Sequence, residues 1–372
     1  MAILQQSSNE ALDWHYASDR EGGDALEQPT ASAYANLSPL EPSPKSAILP
    51  AFVLFIMSPL IAELMLGATR LTHIGGLIIV APFYGCGVLL IRELARRRTT
   101  SWWPIVLFGC AYMLVEEGLT LQTIFNPDFV NAGKLGGRWL GVNFVLTQWE
   151  IGYHIVWSIC IPIAITELLF PARRTQRWLG QLGVSLCAIV YVLAALALGA
   201  VFRKIVMPGF HTTFPHLLVT AGLACAFAIS ALTWPRAKTC TNSVQNPAPR
   251  LTPPWWSVGI LAAMWAMSLF GLFVIPPSIK PTNTVVIFML AQLGFTSVLV
   301  WWLKIISTNN PGWTDAHRWA LVFGPVLVSS SFGLVEVTAD NQIDQIGVAS
   351  FTIVTSITLL ILARRGARSR TR

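Results

Sequence analysis

The chain has 372 residues, 54% of them hydrophobic and 12% charged, with a mean hydropathy of +0.59 and a formal net charge of +7. Soluble domains carry about a quarter charged residues, so this balance excludes an ordinary water-soluble domain and points to an all-α, polytopic transmembrane helix bundle. The basic residues cluster beside hydrophobic segments, as orientation signals do, and form no separate basic domain. No nucleic-acid partner is therefore expected.

Residues 1–46 are polar and hold seven of the eighteen acidic residues against two basic ones, Arg20 and Lys45. No basic start precedes an apolar run, so this is not a secretory signal peptide but an expected disordered acidic cytoplasmic tail. A transmembrane bundle is expected over 47–364, followed by a basic cytoplasmic tail, 365–372. Ten segments have the length and apolarity of spanning helices, near 47–69, 74–93, 102–122, 146–170, 179–201, 214–234, 255–276, 282–303, 317–338 and 347–364. Pro59, Pro82, Pro162 and Pro325 fall inside them, with kinks expected at Pro59 and Pro162. Trp102, Trp103, Trp178, Trp234, Trp255, Trp256, Trp301 and Trp302 lie where spans should meet headgroups. The six cysteines show neither metal nor disulfide spacing and read as small buried residues.

Alternate loops divide the charges unequally. Seventeen Lys and Arg fall on one side and six on the other. The basic side is cytoplasmic, so an even number of spans puts both termini there and the protein in the cytoplasmic membrane, with the lipid bilayer as its first partner.

Ionisable residues at membrane depth are costly and mark functional sites. They concentrate in the first half, 47–171, whereas 179–364 reads as an apolar scaffold. Glu116 and Glu117 sit together inside WWPIVLFGCAYMLVEEGLTLQ, Glu63 lies near the outer end of the first span, and His154 lies one turn into the fourth. At 1.5 Å per residue all four are about 10 Å below the outer boundary, matching in depth on three helices. Glu150, His154 and Ser158 follow at four-residue intervals and share one helix face, where a carboxylate and an imidazole can orient a base or ligate a metal. Glu167 is expected to pair with Arg173 or Arg174, and Glu93 with Arg97. Glu336 is expected to reach the headgroups, and His211 and His216 to be solvated at the interface. The loop TIFNPDFVNAGKLGGRWLGVNF has the Gly, Asn and Pro content of an irregular lid or a connector.

The Glu116–Glu117 pair, with His154 37 residues later, resembles the CAAX-protease and bacteriocin-processing family of intramembrane proteases. That family carries Glu-Glu-x-x-x-Arg, Phe-x-x-x-His and His-x-x-x-Asn or Asp on successive helices. The resemblance covers residues 116–154 and implies that one glutamate activates water while His154 helps to bind it or to stabilise an oxyanion. The chain departs from the pattern at Leu121, in place of the arginine, and at Glu150, in place of the phenylalanine. His216 with Thr220 is the nearest match to the third motif. Segments such as SPLIAELMLG and ITELLFP also resemble uncharacterised bacterial multipass membrane proteins.

Three functions stay open on this reading. An intramembrane hydrolase would use Glu116, Glu117 and His154 as catalytic residues, supported by Glu63, Glu150 and Ser158. A proton-coupled transporter would use the same acids to carry protons. A membrane scaffold would use them to hold helices together. No cofactor motif is evident: neither HExxH nor a nucleotide fingerprint occurs, and a divalent metal is allowed by the residue types without a motif to fix it. The substrate, whether a membrane protein, a peptide or a small molecule, is not written in these residues.

Overall fold

The computed structural model describes residues 47–236, 251–274, 282–308, 310–337 and 342–368. The expected N-terminal tail, Lys238, Cys240, Arg250, Lys280 and the end of the basic tail lie outside the described residues, as does the side chain of Glu336. Eleven α-helices occur among the described residues. Helix α1 (Ile48–Pro59) runs into a π-helical turn, Leu60–Leu64. After a 3-10 segment comes α2 (Leu77–Arg96), and then α3 (Trp103–Met113), which continues as a π-helical segment, Leu114–Thr120. The loop that follows holds the antiparallel pair β1 (Arg138–Trp139) and β2 (Val142–Asn143). Helices α4 (Phe144–Tyr153) and α5 (Ile161–Leu169) are joined through a third π-helical segment, His154–Cys160. The remaining helices are α6 (Gln181–Val201), α7 (Phe214–Thr233), α8 (Trp255–Val274), α9 (Thr282–Ser307), α10 (Asp315–Val337) and α11 (Gln342–Arg368).

The all-α expectation is met. Among the described residues, seven helical stretches are long and apolar enough to cross a membrane: Leu71–Arg96, Phe144–Leu169, Gln181–Val206, Phe214–Thr233, Trp255–Phe273, Thr284–Ser307 and Asp315–Val335. The other three expected spans fall on helices outside that set. Ile48–Leu64 is shorter, two glutamates reduce the apolarity of Trp103–Thr120, and α11 is the third.

Burial separates the centre of the bundle from its rim. Of the apolar window in Phe144–Leu169, 61% is buried, against 11% in Gln181–Val206. Leu182, Leu193 and Leu196 of α6 are exposed, as are Leu218 of α7 and Val298 of α9. Such a surface aggregates in water and is the ordinary state of a helix facing lipid. At the centre Trp157 is fully buried, stacked on Tyr153 and Trp265 at 5.2 and 5.9 Å. Helices α8 and α10 touch at Gly259 and Gly324; a Cβ on Gly324 would collide with the Gly259 carbonyl, so only small residues permit this approach.

Both expected proline positions mark breaks in helical regularity. Pro59 ends α1 where the π turn begins, and Pro162 opens α5 where another π segment ends. Pro162 has no N–H and cannot return a hydrogen bond to the Ser158 carbonyl four residues back. Ser58 of α1, fully buried, donates its hydroxyl to that carbonyl at 2.7 Å. A backbone acceptor that proline leaves open in a dry interior thereby receives a donor from the first helix.

At the far end of α2 the ion pairs differ partly from expectation. Glu93 pairs with Arg97 at 3.1 Å, as the four-residue spacing predicts. Glu167 does not pair with Arg173 or Arg174. It points into the bundle, where Arg96 of α2 reaches it at 2.8 Å and Arg92 at 3.4 Å. Arg92 is fully buried and donates to the carbonyls of Arg173, Arg174 and Gln176, which fixes the turn after α5. Trp178, expected at the headgroups, is buried with the Arg92 guanidinium 3.5 Å from its ring centre. Trp102, Trp103, Trp255, Trp256 and Trp301 are exposed as an interfacial belt requires.

Replacing Ser58 by Ala is expected to destabilise the bundle by about 1–3 kcal/mol, the cost of leaving a buried acceptor unmet. In a Pro162→Ala background the same change should cost much less, because the restored N–H can take over. Reversible unfolding in detergent micelles across this double-mutant cycle measures the difference.

Candidate functional site

The three π-helical segments of the first half carry most of the polar residues of the site, Glu150 of α4 being the exception. Glu63 lies on Leu60–Leu64, Glu116 and Glu117 on Leu114–Thr120, and His154 and Ser158 on His154–Cys160. In each segment an amide bonds five residues back: Met65 to Leu60, Leu121 to Glu116, and Ile161 to Val156. The wider turn reduces the angle between consecutive side chains, so two adjacent glutamates can face one neighbour. Such turns are rare and frequently fall at functional sites.

The neighbour is His154. Its Nδ1 lies 3.2 Å from Glu116 Oε2, and its Nε2 lies 3.2 Å from Glu117 Oε1 and 3.3 Å from Glu150 Oε2. Ser158 Oγ is 3.1 Å from Nδ1. The four-residue spacing in α4 therefore places Glu150 and Ser158 against the imidazole as the sequence predicts. Glu116, Glu117, Glu150, His154 and Ser158 are all buried. Among the described residues, the ion pairs that these three glutamates make are all with His154.

Glu63 belongs to the edge of this centre. It is half-buried and accepts a hydrogen bond from Thr69 Oγ1 at 2.7 Å, and the Tyr84 hydroxyl faces both its carboxylate and that of Glu116. Rings of Tyr84, Tyr112 and Tyr153 surround His154, with centroids 6.3, 5.9 and 5.7 Å away. The Tyr153 hydroxyl donates to the Ala62 carbonyl beside Glu63. Three turns from α1, α3 and α4 are thus locked around one imidazole.

The outer loop closes over the same place. Thr123 donates its hydroxyl to Glu117 Oε2 and is fully buried. Asn143 caps α4 by accepting from the Leu146 amide at 2.9 Å, and its side-chain amide donates to the Ala132 carbonyl at 2.6 Å. Gln122, Val130, Asn131 and Leu140 take positive φ, a conformation costly for these residues and held by the surrounding packing.

The third-motif candidate does not join the centre. His216 stacks on Phe125 at 4.7 Å and meets the Leu140 carbonyl at 2.9 Å, anchoring the loop to α7. Thr220 does approach the glutamate segment, since a Cβ on Gly118 would collide with its methyl group. Thr123, Tyr84 and Tyr112 were absent from the sequence-derived site. A threonine in a loop and tyrosines in apolar helices carry no signal of their own.

A cleft of about 290 Å³ runs between α2, α3, α6 and α7. It is lined mainly by apolar side chains, among them Leu90, Phe108, Val115 and Ala224, and Tyr112 stands in its wall. The ring of Tyr112 separates this cleft from His154.

The helices and this polar centre define a multi-span helical membrane protein. Residues 52–370 match the model of a family described as an uncharacterized membrane protein family, and the chain belongs to it. No curated protein and no solved structure matches the chain. The family carries no activity with it, and the protease resemblance rests on Glu116, Glu117 and His154 alone.

Changing Thr123 to Val keeps its volume but removes the hydroxyl that meets a buried carboxylate. A loss of about 1.5–3 kcal/mol is expected, in the range of hydrogen bonds to charged groups. Unfolding of the Thr123→Val and Thr123→Ser variants, side by side, would show whether the hydroxyl accounts for it.

Proposed function

We propose that this is a ten-span protein of the cytoplasmic membrane whose polar centre hydrolyses a bond in a membrane-borne substrate. The observation that carries the reading is the meeting of Glu116 and Glu117, on one π-helical turn, and Glu150 of α4 at His154, on another such turn, which gathers three carboxylates and an imidazole inside an apolar bundle. Glu117 acts as general base, since its Oε1 faces His154 while Thr123 occupies its other oxygen. Water adds across the scissile bond; its proton passes to Glu117 and then to the leaving group. His154 stabilises the developing oxyanion, and Glu150, Glu116 and Ser158 hold the ring in place. Substrate reaches the centre along the apolar cleft, past Tyr112.

Helices Ile48–Leu64, Trp103–Thr120 and α11 support the count of ten when added to the seven apolar stretches. The excess of Lys and Arg in alternate loops supports cytoplasmic termini. Single cysteines placed at Arg98 and at Lys134 should then be labelled by an impermeant thiol reagent from opposite sides of the membrane. Labelling of both from one side would overturn the orientation.

The burial of the centre favours a second reading, proton-coupled transport, in which the same carboxylates exchange protons behind a seal. The two separate on one comparison in proteoliposomes. Glu117→Gln is expected to reduce cleavage of membrane peptides by about 10²–10⁴-fold with folding intact. Undiminished cleavage would exclude the hydrolytic role, and loss of proton uptake alone would assign the centre to transport.

A further inference from the structure

The polar centre crowds the carboxylates of Glu116, Glu117 and Glu150 around one imidazole, and although the Tyr84 and Tyr112 hydroxyls lie toward Glu116, its Oε2 is left without a hydrogen bond. His154 offers at most one N–H from each ring nitrogen. Nδ1 meets both Ser158 Oγ and Glu116 Oε2, and Nε2 meets both Glu117 Oε1 and Glu150 Oε2. The Thr123 hydroxyl is engaged by Glu117 Oε2. Glu116 Oε2 receives no hydrogen bond although the residue is only 2% exposed; its contact with Nδ1 is a matter of proximity, not of a directed N–H. Even with the imidazole protonated, three ionised carboxylates would leave net negative charge in a dry interior, which is strongly unfavourable.

A cation satisfies several oxygens at once where a proton serves one. One donor atom each from Glu116, Glu117 and His154 lie within 4.8 Å of one another, the one such group of three among the described residues. We infer that Glu116, Glu117 and His154 bind a single divalent first-row transition metal. Mixed imidazole and carboxylate donors suit Zn²⁺, Mn²⁺ or Fe²⁺ better than Ca²⁺ or Mg²⁺, which take oxygen alone, or Cu⁺, which prefers sulfur. Thr123 holds Glu117 through Oε2, so that Oε1 is the oxygen turned toward His154, and Ser158 at Nδ1 or Glu150 at Nε2 would hold whichever ring nitrogen the metal does not take, the supporting contact that a metal-ligating histidine ordinarily has. The inference deepens the hydrolytic reading by changing two of its roles: as ligands, Glu117 and His154 would hold a metal that lowers the pKa of a coordinated water and polarises a carbonyl, in place of acting as general base and oxyanion donor. It rests on the location of that site and not on the reaction.

The test uses the full-length chain in detergent micelles, stripped with a chelator and titrated with Mn²⁺. The wild type is expected to take up one Mn²⁺ per chain, with electron spin-echo modulation from a single imidazole nitrogen. That signature needs no variant and is read on folded protein. Glu116→Gln should weaken uptake by at least roughly tenfold, and His154→Ala should abolish the nitrogen signal. Uptake should also fall as pH is lowered, because the donors must be deprotonated to bind. No uptake, uptake without nitrogen coupling, or uptake unchanged in both variants would overturn the site. Cleavage by protein that takes up no Mn²⁺ would defeat the metal inference and keep the hydrolase. Metal binding without hydrolysis would do the reverse.

Discussion

Everything in the first half of this bundle is arranged around the cost of placing carboxylates next to one imidazole away from water. The effective penalty for desolvating an ion in a protein is several kcal/mol, and attraction offsets it only where geometry is close and the remaining lone pairs are met. His154 supplies the close geometry for three glutamates at 3.2–3.3 Å, while Glu116 Oε2 is left without a hydrogen bond. The consequence is mechanical as well as electrostatic. Glu150 belongs to the same helical run as the histidine, whereas Glu116 and Glu117 come from α3's extension, so α3 and α4 cannot slide past one another without separating buried charges. Tyr153, bonded to Ala62, and Ser58, bonded to Ser158, extend the same constraint to α1.

Those attachments are possible because the helices are irregular where they meet. A regular helix spends its carbonyls on its own amides and spreads adjacent side chains around the axis. The π-helical segments change both: they turn Glu116 and Glu117 toward one partner and interrupt the four-residue ladder. At two of the three junctions a proline, Pro59 or Pro162, has the same effect on the backbone. Pro162 leaves the Ser158 carbonyl without its amide, and the hydroxyl of Ser58 uses it. The defect in one helix thus becomes the contact between two. Three such segments at one depth, each bearing an ionisable residue, are difficult to account for by packing alone, since apolar side chains would fill the same space without the desolvation cost.

How much of this was legible in the sequence follows from what each residue type announces. A charged residue inside an apolar run reports its own depth, so Glu63, Glu116, Glu117 and His154 could be placed at one level from spacing alone. The four-residue interval carried Glu150 and Ser158 to the correct face. Helical periodicity does not encode where a turn widens, and the π segments were therefore invisible, although Pro59 and Pro162 marked two of their boundaries. Thr123 and the tyrosines were missed because their residue types are as common in connectors and apolar cores as in sites. Glu167 and Trp178 were misassigned for a related reason: nearness in sequence favoured the following turn, while the long guanidinium side chains of α2 reach across from another helix. Buried cross-links between the first half and the second, such as Gln148 to Gln292 at 2.7 Å, had no signal in the sequence either.

The relation between the centre and the neighbouring cleft sets what chemistry the site can support. The cleft is apolar and lies among helices that present leucine and valine to the bilayer, so its natural occupants are apolar chains and not hydrated solutes. One tyrosine, Tyr112, belongs to both spaces: its ring forms part of the cleft wall and stands 5.9 Å from His154. The ring is packed against Phe83, Tyr84 and Tyr191, so on the hydrolytic reading it stands between an occupant of the cleft and the carboxylates. Kept closed, the ring preserves the low dielectric in which the contacts around His154 are strongest. Displaced by an apolar chain, it would deliver a polar group at the end of that chain to the carboxylates while the occupant itself excluded water. On the hydrolytic reading proposed above, the site would select substrates by how deeply their apolar part fills the cleft, and would act on the bond just beyond it.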